Sequence, residues 1–229
     1  MLAIPGWKRL PLHPNFASPM KNVIAIIGAG PGISQAVAHQ FGRQGYEVVL
    51  VARTTDKLQA LASELGAAGI VATPVVADIS QPTELRTALG GLGELRVLHY
   101  NAAVARATDV LAETAEGLAQ DFAVNVAGLL TAVQAALPQL EASQGSVLVT
   151  GGGLAKFPHP AYASLAIGKA GEANLAGSLA QALAPKGIYV GVLQVNGFVN
   201  EADAVHNPAN IAHHFWAMHT DRDRLEHEL

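Results

Sequence analysis

The chain has 229 residues, of which 50% are apolar, 14% are charged and none is cysteine. This composition fits one α/β domain with a large core, and it excludes disulfides, thiolate catalysis and cysteine-based zinc sites. The net charge of −4 and the isoelectric point near 6.1 give no reason to expect nucleic acid or a membrane as a partner. No apolar run approaches the roughly 20 residues that span a bilayer, so we expect a cytoplasmic protein.

The first 19 residues differ from the rest, because they are rich in proline and show no clear period. They lack the apolar segment and the small-residue cleavage site of a signal peptide. Met20 then opens a segment that is typical of a natural start followed at once by a strand. We expect residues 1–19 to be an extension outside the domain, from an early start codon, or else an arm packed on the surface or on a partner subunit. The domain itself is expected to span residues 20–229.

Strand-like and helix-like segments alternate from Val23 onward. We predict strands at 23–27, 46–52, 71–77, 95–100, 146–150 and 188–195. We predict helices at 34–44, 55–65, 81–89, 113–140 with a bend near Gly128, 162–184 and 208–219. Strict alternation implies right-handed crossovers and a single Rossmann-type, doubly wound parallel sheet in an α/β fold, with helices on both faces. The charged end, 221–229, is interpreted as a solvated segment or a subunit contact.

A glycine-rich segment, Gly28-Ala29-Gly30-Pro31-Gly32-Ile33-Ser34, joins the first predicted strand to the first helix. Gly28 permits a tight turn, and Gly30 and Gly32 leave room for backbone beside a pyrophosphate. The helix that begins near Ile33 offers unpaired N–H groups and a positive dipole end to phosphates. This context predicts a dinucleotide-binding turn. The alternative is a glycine-rich loop with a structural role only.

The end of the second predicted strand bears on the choice of cofactor. NAD(H) is usually held there by an acidic residue that binds the ribose hydroxyls. This chain has Ala52 at that position, followed by Arg53, whose guanidinium can pair with a 2′-phosphate. NADP(H) is therefore favoured and NAD(H) remains open. The alternative for Arg53 is a surface charge near a helix start.

These features resemble the short-chain dehydrogenase/reductase family over residues 21 to about 200. Gly28-x-x-x-Gly32-Ile33 is similar to the family's TGxxxGxG turn, with Ser34 in place of its last glycine. The other matching segments are Asp78-Ile79, Asn101-Ala102-Ala103, Asn125, Lys169 and, in place of a Pro-Gly, Asn196-Gly197. The resemblance implies that Asp78 and Ile79 partner the adenine, that Asn101 and Ala102 lie along the cofactor, that Asn125 supports the site, and that Lys169 holds the nicotinamide ribose.

Two catalytic positions depart from the family pattern. The family's serine falls on Gly152, and its tyrosine, four residues before the lysine, falls on Leu165. Tyr162 lies nearby but is separated from Lys169 by roughly 10 Å along a helix axis, which is too far for direct contact. Either Tyr162 folds in from the loop as the proton donor, or family-type proton donation is lost and Tyr162 is a packed helix-entry residue. Ser164 and Thr150 are further candidate hydroxyl donors.

The C-terminal part is interpreted as a short lid over the substrate pocket. Phe198, Phe215 and Trp216 are candidates to line a small apolar pocket, although Phe215 and Trp216 alternatively anchor the last helix to the core. The C-terminal histidines do not have the spacing of convergent metal ligands, so no metal site is expected. The family resemblance implies a homodimer or homotetramer built on the two long helices.

Two functional hypotheses follow. The first is an NADP(H)-dependent oxidoreductase acting on a small carbonyl or alcohol substrate, with Lys169 holding the ribose, Asn125 supporting the site and Tyr162 as the candidate proton donor. The second is a catalytically impaired dinucleotide-binding protein that acts as a sensor or interaction partner. The absent serine and tyrosine motivate the second hypothesis, because a bound cofactor alone does not supply a proton relay.

Overall fold

The computed structural model describes residues 22–229, so the expectation for residues 1–19 lies outside the described range. The strands are β1 (Val23–Ile27), β2 (Glu47–Ala52), β3 (Ala72–Val76), β4 (Val97–Tyr100), β5 (Ser146–Thr150), β6 (Tyr189–Gln194) and β7 (Glu226–Glu228). The helices are α1 (Ile33–Arg43), α2 (Thr55–Ala67), α3 (Pro82–Gly90), α4 (Ala115–Phe122), α5 (Gly128–Ser143), α6 (Ala163–Leu183) and α7 (Pro208–Asp221). A π-helical segment (Ala123–Ala127) joins α4 to α5, and short 3-10 turns lie at Gly153–Ala155 and Ala184–Lys186.

The strands form one parallel sheet in the order β3-β2-β1-β4-β5-β6-β7. The chain winds one way from β1 to β3 and the other way from β4 to β7, so the topological switch point lies between β1 and β4. Open α/β sheets bind ligands beyond the carboxyl ends of their strands at such a point. The predicted Rossmann-type doubly wound sheet is confirmed.

The central strand β1 explains why the sheet is stable in the middle of the domain. All five of its residues are buried, and their alternation divides them between two cores. Ile24 and Ile26 pack into the core beneath α1 and α7, whereas Ala25 and Ile27 face the core beneath α3 and α5. Each fully buried aliphatic side chain contributes about 1.5–3 kcal/mol. A continuous apolar strand is the pattern expected where helices cover both faces.

Where the sequence predicts a bend near Gly128, the structure has a π-helical segment. The π segment immediately precedes this glycine, and the Tyr100 hydroxyl donates a hydrogen bond to the carbonyl of Val124 within that segment. A Cβ at Gly128 would collide with the same phenol. The aromatic side chain at the end of β4 therefore fits against the helix only where the helix widens and lacks a side chain.

The helical stretch Ala115–Ser143 is long and apolar enough to cross a membrane, by length and composition only. The sequence alone predicts no apolar run approaching the roughly 20 residues that span a bilayer, so this helix is a correction to that expectation. Half of the most apolar part of this stretch is buried inside the fold, and α5 packs against α3 and β4. This burial is typical of the core helix of a soluble protein.

The C-terminal end differs from the prediction. The sequence predicts a solvated run or a subunit contact at 221–229, whereas in the structure Glu226–Glu228 forms β7, which pairs with β6. Lys156 holds this strand in place, because its Nζ lies 2.7 Å from a Glu226 carboxylate oxygen and also pairs with Glu228. A three-residue Glu-His-Glu strand has no apolar pattern, so backbone pairing and ion pairs specify it rather than hydrophobicity.

Candidate cofactor site

The turn between β1 and α1 is locked to the end of β4. Gly28 has a φ of 85°, and a Cβ there would lie 2.6 Å from the backbone of Ala102. The Ser34 hydroxyl donates to the carbonyl of Gly28 at 2.9 Å, and the Asn101 amide donates to that hydroxyl at 2.8 Å. Ser34 thus stands where the family pattern has glycine, yet it stabilises the turn by bridging it to the neighbouring strand.

The rest of the turn leaves the start of α1 open. Gly32 is the N-cap at a φ of 81°, and no side chain caps the first turn that begins at Ile33. A Cβ at Gly30 or Gly32 would meet no described atom within 4 Å. The first N–H groups of a helix need partners, and a phosphate supplies them together with a favourable charge for the dipole. This observation fits a dinucleotide diphosphate.

The ends of β2 and β3 bring Arg53 and Asp78 within electrostatic range of each other. Burial acts to raise the pKa of the Asp78 carboxyl, but two hydrogen bonds from Ser80 and the charge of Arg53 outweigh it and hold the pKa below its ordinary value. The Arg53 side chain is exposed immediately after β2, and Ile79 is buried behind Asp78. A carboxylate and an exposed guanidinium therefore flank the same edge of the sheet.

Asn125 lies in the π segment, and it holds the loop that follows β4. Its buried side-chain oxygen accepts a hydrogen bond from the backbone N–H of Val104 at 2.7 Å. A Cβ at Gly168 on α6 would lie 2.7 Å from the Asn125 side chain. Asn125 is therefore fixed between the β4 loop and α6, and it positions the backbone beside Asn101 and Ala102.

Lys169 projects from α6 toward the carboxyl end of β5. Its Nζ donates to the carbonyl of Thr150 and, at 2.9 Å, to the carboxylate of Glu172. The Thr150 hydroxyl lies 3.1 Å from Nε2 of His99 on β4. His99, Thr150, Lys169 and Glu172 thus form a buried polar cluster below the switch point.

Burial controls the charges of this cluster. It raises the pKa of the Glu172 carboxyl to about 7, against the opposing attraction of the Lys169 ammonium. It also lowers the pKa of His99 to about 3, with a further contribution from the positive charge of Lys169. His99 is therefore neutral at physiological pH, and Glu172 is the acidic group of the cluster that can gain or lose a proton near neutrality.

The positions of the family's serine and tyrosine carry no hydroxyl. Gly152 follows β5 in extended backbone, and a Cβ there would have only ordinary contacts, the nearest at 3.7 Å. Leu165 occupies the first turn of α6. Tyr162 is the N-cap residue of that helix, 36% exposed, and its backbone forms a bridge with Thr108. The helix therefore begins one residue after Tyr162, which places this phenol about two turns from Lys169.

The other candidate hydroxyls are engaged. Ser164 is buried and donates to the Asp121 carboxylate at 2.6 Å, and Arg106 pairs with the same carboxylate at 2.8 Å. Thr150 belongs to the cluster with His99. These contacts join the loop after β4 to α4 and α6, so both hydroxyls contribute to the structure of the site.

The proposed lid residues separate into two groups. Phe215 is fully buried with its ring centroid 4.6 Å from that of His99, and Trp216 packs 5.1 Å from the Phe41 ring centroid. The alternative that these two residues anchor α7 to the core is therefore the correct one. Phe198 is 93% exposed, so the expectation that the three aromatic residues line one apolar pocket is wrong.

An apolar cavity of about 470 Å³ lies against α6. Its walls come from the segment after β5 and from Ala163, Ala166, Ile167 and Ala170. At 100° per residue these positions lie about 60° to 160° around the helix from Lys169, so they form a face next to that side chain rather than opposite it. Neither Lys169 nor Tyr162 lines the cavity.

The C-terminal histidines have separate partners. His219 lies between the Tyr46 hydroxyl at 2.7 Å and the Ser146 hydroxyl at 2.8 Å, whereas His206 lies 3.4 Å from Asp203. Among residues 22–229, no group of three or more histidine or acidic side chains has the arrangement of a metal site.

Sequence reasoning missed Glu172 and His99. One signal for Glu172 was available, because it is the one acidic residue within α6, a helix otherwise rich in alanine and glycine, and it lies one turn after Lys169. His99 lies in a short apolar strand and has no such signal. Its partner Thr150 is distant in sequence and becomes a neighbour only when β4 pairs with β5.

Comparison with known proteins agrees with this arrangement. The family model for short chain dehydrogenases matches residues 22–208. An uncharacterized oxidoreductase of Mycobacterium tuberculosis is 28% identical over 170 residues, covering 72% of this chain and 65% of that protein. A very-long-chain 3-oxoacyl-CoA reductase of Aspergillus clavatus is 33% identical over 182 residues, covering 74% of this chain and 51% of that protein. The chain thus spans between about half and two thirds of the length of these two relatives.

A solved structure shows the same fold. A metagenomic short-chain oxidoreductase in complex with NADP superposes with a TM-score of 0.81 at 25% identity, over 93% of this chain and 97% of that chain. Together with the match over residues 22–208, the sheet order and the turn after β1 show that this chain belongs to the short-chain dehydrogenase/reductase family.

Proposed function

We propose that this protein binds a nicotinamide dinucleotide, with NADP(H) preferred over NAD(H), and acts as an oxidoreductase on a small carbonyl or alcohol. The observation that carries the proposal is the open start of α1 at the same sheet edge as the buried Lys169. The first feature suits a diphosphate and the second suits a ribose. Both lie beyond the carboxyl ends of the central strands.

Arg53 supports the preference for NADP(H). Its exposed guanidinium follows β2, at the strand end where an acidic residue would otherwise bind the ribose hydroxyls. Arg53 lies close enough to Asp78 for its charge to help lower the pKa of that carboxyl, which puts Arg53 near the adenine side of the proposed site. The relative solved with NADP is consistent with this choice.

The chain's own residues would orient the reaction. Bound nicotinamide supplies the hydride donor or acceptor. Lys169 would hold the adjoining ribose, while Asn125 fixes the loop that carries Asn101 and Ala102. Tyr162 is the proposed proton donor to the developing alkoxide, since its phenol is exposed at the start of α6 and its backbone is fixed against Thr108.

A second candidate function is dinucleotide binding without turnover. The observation that favours it is the replacement of both family hydroxyls, by Gly152 and Leu165, while Ser164 and Thr150 are engaged in other hydrogen bonds. Such a protein would respond to the redox state of the cofactor pool through binding alone.

One experiment separates the two functions. Purified protein is assayed with NADPH against a panel of small aldehydes and ketones, beside the double variant Gly152→Ser/Leu165→Tyr. Turnover by the wild type that is abolished by Tyr162→Phe supports the oxidoreductase. Binding of NADPH without measurable turnover by the wild type, with turnover appearing in the double variant, supports the sensor.

A matched control isolates the hydroxyl group. Gly152→Ser/Leu165→Phe has nearly the same bulk as the double variant but lacks the phenol oxygen, so we expect it to stay at the wild-type rate. Absence of NADPH and NADH binding in calorimetry would contradict both candidate functions.

We also propose that the protein forms a homodimer or homotetramer through its long helices. Phe122 on α4, Leu130 on α5 and Ile167 on α6 are exposed apolar residues. Light scattering on the eluting protein measures the assembly, and Ile167→Glu should shift it toward monomer.

A further inference from the structure

Glu172 is the least expected group near the site. It lies one helical turn after Lys169, its side chain is 1% exposed, and its Oε2 lies 2.9 Å from the Lys169 Nζ. Its other oxygen, Oε1, has no hydrogen-bond partner among residues 22–229. A buried carboxyl group with one unpaired oxygen lowers stability, and its pairing with Lys169 offsets part of that cost.

The geometry of the ammonium indicates a role for Glu172. A lysine ammonium has three donors. One is directed to the Thr150 carbonyl at the end of β5 and another to Glu172, which is on the same helix. Two acceptors from two different elements fix the place of Nζ, and they leave one donor for a ligand at the sheet edge.

We propose that Glu172 is a positioning residue that supplies the counter-charge of Lys169 and holds its Nζ for the cofactor ribose, an inference that rests on the proposed cofactor binding. In this chain Leu165 stands where a phenol would otherwise neighbour the lysine. Glu172 provides the anionic partner from one turn further along α6.

The surrounding elements place few other titratable groups against Glu172. On β4, Tyr100 interacts with it electrostatically, and His99 interacts with Lys169. Burial holds the pKa of Tyr100 well above its ordinary value, with Glu172 adding to the effect, so this phenol is neutral. The π segment and the 3-10 turn at Gly153–Ala155 contain no titratable side chain. Lys169 and Glu172 therefore form the charged pair of this cluster.

The test compares Glu172→Leu, which removes the charge and the acceptor, with Glu172→Gln, which keeps an acceptor oxygen. NADPH affinity is measured by fluorescence titration from pH 6 to 9. We expect the Kd for NADPH to be about tenfold higher for Glu172→Leu at pH 7. The estimate follows the losses seen when a residue that orients a ligand-binding side chain is replaced. The loss should increase with pH, because a buried ammonium without a counter-charge gives up its proton more readily. Glu172→Gln should retain most of the affinity at pH 7.

A second readout needs no cofactor. The titration of the Lys169 side chain is followed by NMR in selectively labelled protein, and the proton should leave at lower pH in Glu172→Leu and Glu172→Gln than in the wild type. This measurement distinguishes the proposed function from the proposed role of Glu172. If the wild-type protein fails to bind NADPH, the proposed function is wrong, but the NMR titration still shows whether Glu172 is coupled to Lys169.

The matched control is Glu141→Gln, which breaks an exposed pair with Lys186 at 3.1 Å on another surface. It should bind NADPH as the wild type does. Equal affinity, equal pH dependence and an unchanged Lys169 titration in both Glu172 variants would overturn the proposal. If Glu172→Leu does not fold, Glu172→Gln alone decides it through the NMR readout.

Discussion

The two halves of the sheet's carboxyl edge have kept different parts of the family's chemistry. At the β1 and β4 ends, a tight glycine turn, Ser34 and Asn101 are joined by hydrogen bonds and leave the start of α1 open. At the β5 end, both family hydroxyls are absent, and Glu172 pairs with the lysine instead. The first half has a geometry that suits a diphosphate, whereas the second half lacks both hydroxyls of the family pattern.

The difference shows that binding and turnover are specified by separate residues on one fold. The diphosphate site depends on backbone shape, which glycine and a short hydrogen-bonded chain are enough to define. Proton transfer depends on a hydroxyl at one particular place, and a single side-chain change removes it. Substitutions on the two halves should therefore have distinct signatures.

The largest effect is expected at the binding half, from Gly28→Ala. The new methyl group would lie 2.6 Å from the Ala102 backbone, at a φ that disfavours any side chain. We expect the unfolding free energy to fall by about 3 kcal/mol, and we expect no measurable NADPH binding. Denaturant unfolding and calorimetry measure the two effects.

Gly30→Ala is the matched control, because a Cβ there meets no described atom within 4 Å. It should leave the unfolding free energy within about 1 kcal/mol of the wild type and weaken NADPH binding by occupying the space beside the diphosphate. Unchanged NADPH affinity in Gly30→Ala would show that the ligand does not approach this turn.

The next effect concerns the altered half. Lys169→Met leaves the Glu172 carboxyl group buried without its partner and, because its pKa is already about 7 with Lys169 present, protonated at neutral pH. The unmet hydrogen bonds should cost about 1–3 kcal/mol. Lys169→Met/Glu172→Leu should regain most of this stability, because both polar groups are then gone. Chemical denaturation of the four proteins in the cycle measures the coupling. Additive losses in the double variant would contradict a buried ion pair.

Arg53→Ala should have a smaller and selective effect. Loss of one exposed charge-assisted contact to the 2′-phosphate should weaken NADPH binding about tenfold, with NADH binding unchanged. Parallel titrations with the two cofactors check this ratio. An equal change for both cofactors would assign Arg53 to general electrostatics rather than to the 2′-phosphate.

The smallest effect on cofactor binding is expected at the amino-terminal ends of the strands, far from the candidate cofactor site, where His219 contacts Tyr46 and Ser146. There, burial lowers the pKa of His219 to about 3, while nearby Arg222 and Arg96 add to the effect. Because the folded-state pKa lies below the ordinary value of 6.5, this histidine's contribution to stability is complete above pH 6.5. It is lost as pH falls toward 3, at up to about 1.4 kcal/mol per pH unit.

His219→Gln tests this linkage. Its unfolding free energy should fall less steeply than that of the wild type between pH 6.5 and 5, and its NADPH affinity should be unchanged. Glu172 opposes the trend, because its raised pKa adds stability as pH falls from about 7 toward 4.5. Both proteins share that contribution, so the difference in slope isolates His219. Identical slopes would show that His219 is not buried in its neutral form.

Much of the fold follows from the sequence because its signals are local. Continuous apolar runs predicted β1 and β5 at their observed bounds, and Gly128 marked the place where a π segment interrupts the long helix. β7 escaped prediction, because Glu-His-Glu has no apolar period and forms only where β6 offers an unpaired edge. Its ion pairs with Lys156 join residues about 70 positions apart.

The site was predictable where it depends on backbone and less so where it depends on tertiary contacts. The glycine turn and Lys169 are visible as motifs, and their structural setting agrees with those motifs. Phe215 and Trp216 could not be assigned between pocket and core from spacing alone, since both arrangements place an aromatic residue on α7. The pairing of His99 with Thr150 depends on strand order, which no single segment encodes.

The most direct test of the central claim is a calorimetric titration of the wild-type protein with NADPH, repeated with Gly30→Ala. Saturable binding by the wild type, clearly weakened in a Gly30→Ala protein that melts at the same temperature, is the predicted result. An absence of binding heat and of fluorescence change with both NADPH and NADH would contradict a dinucleotide site at the turn after β1.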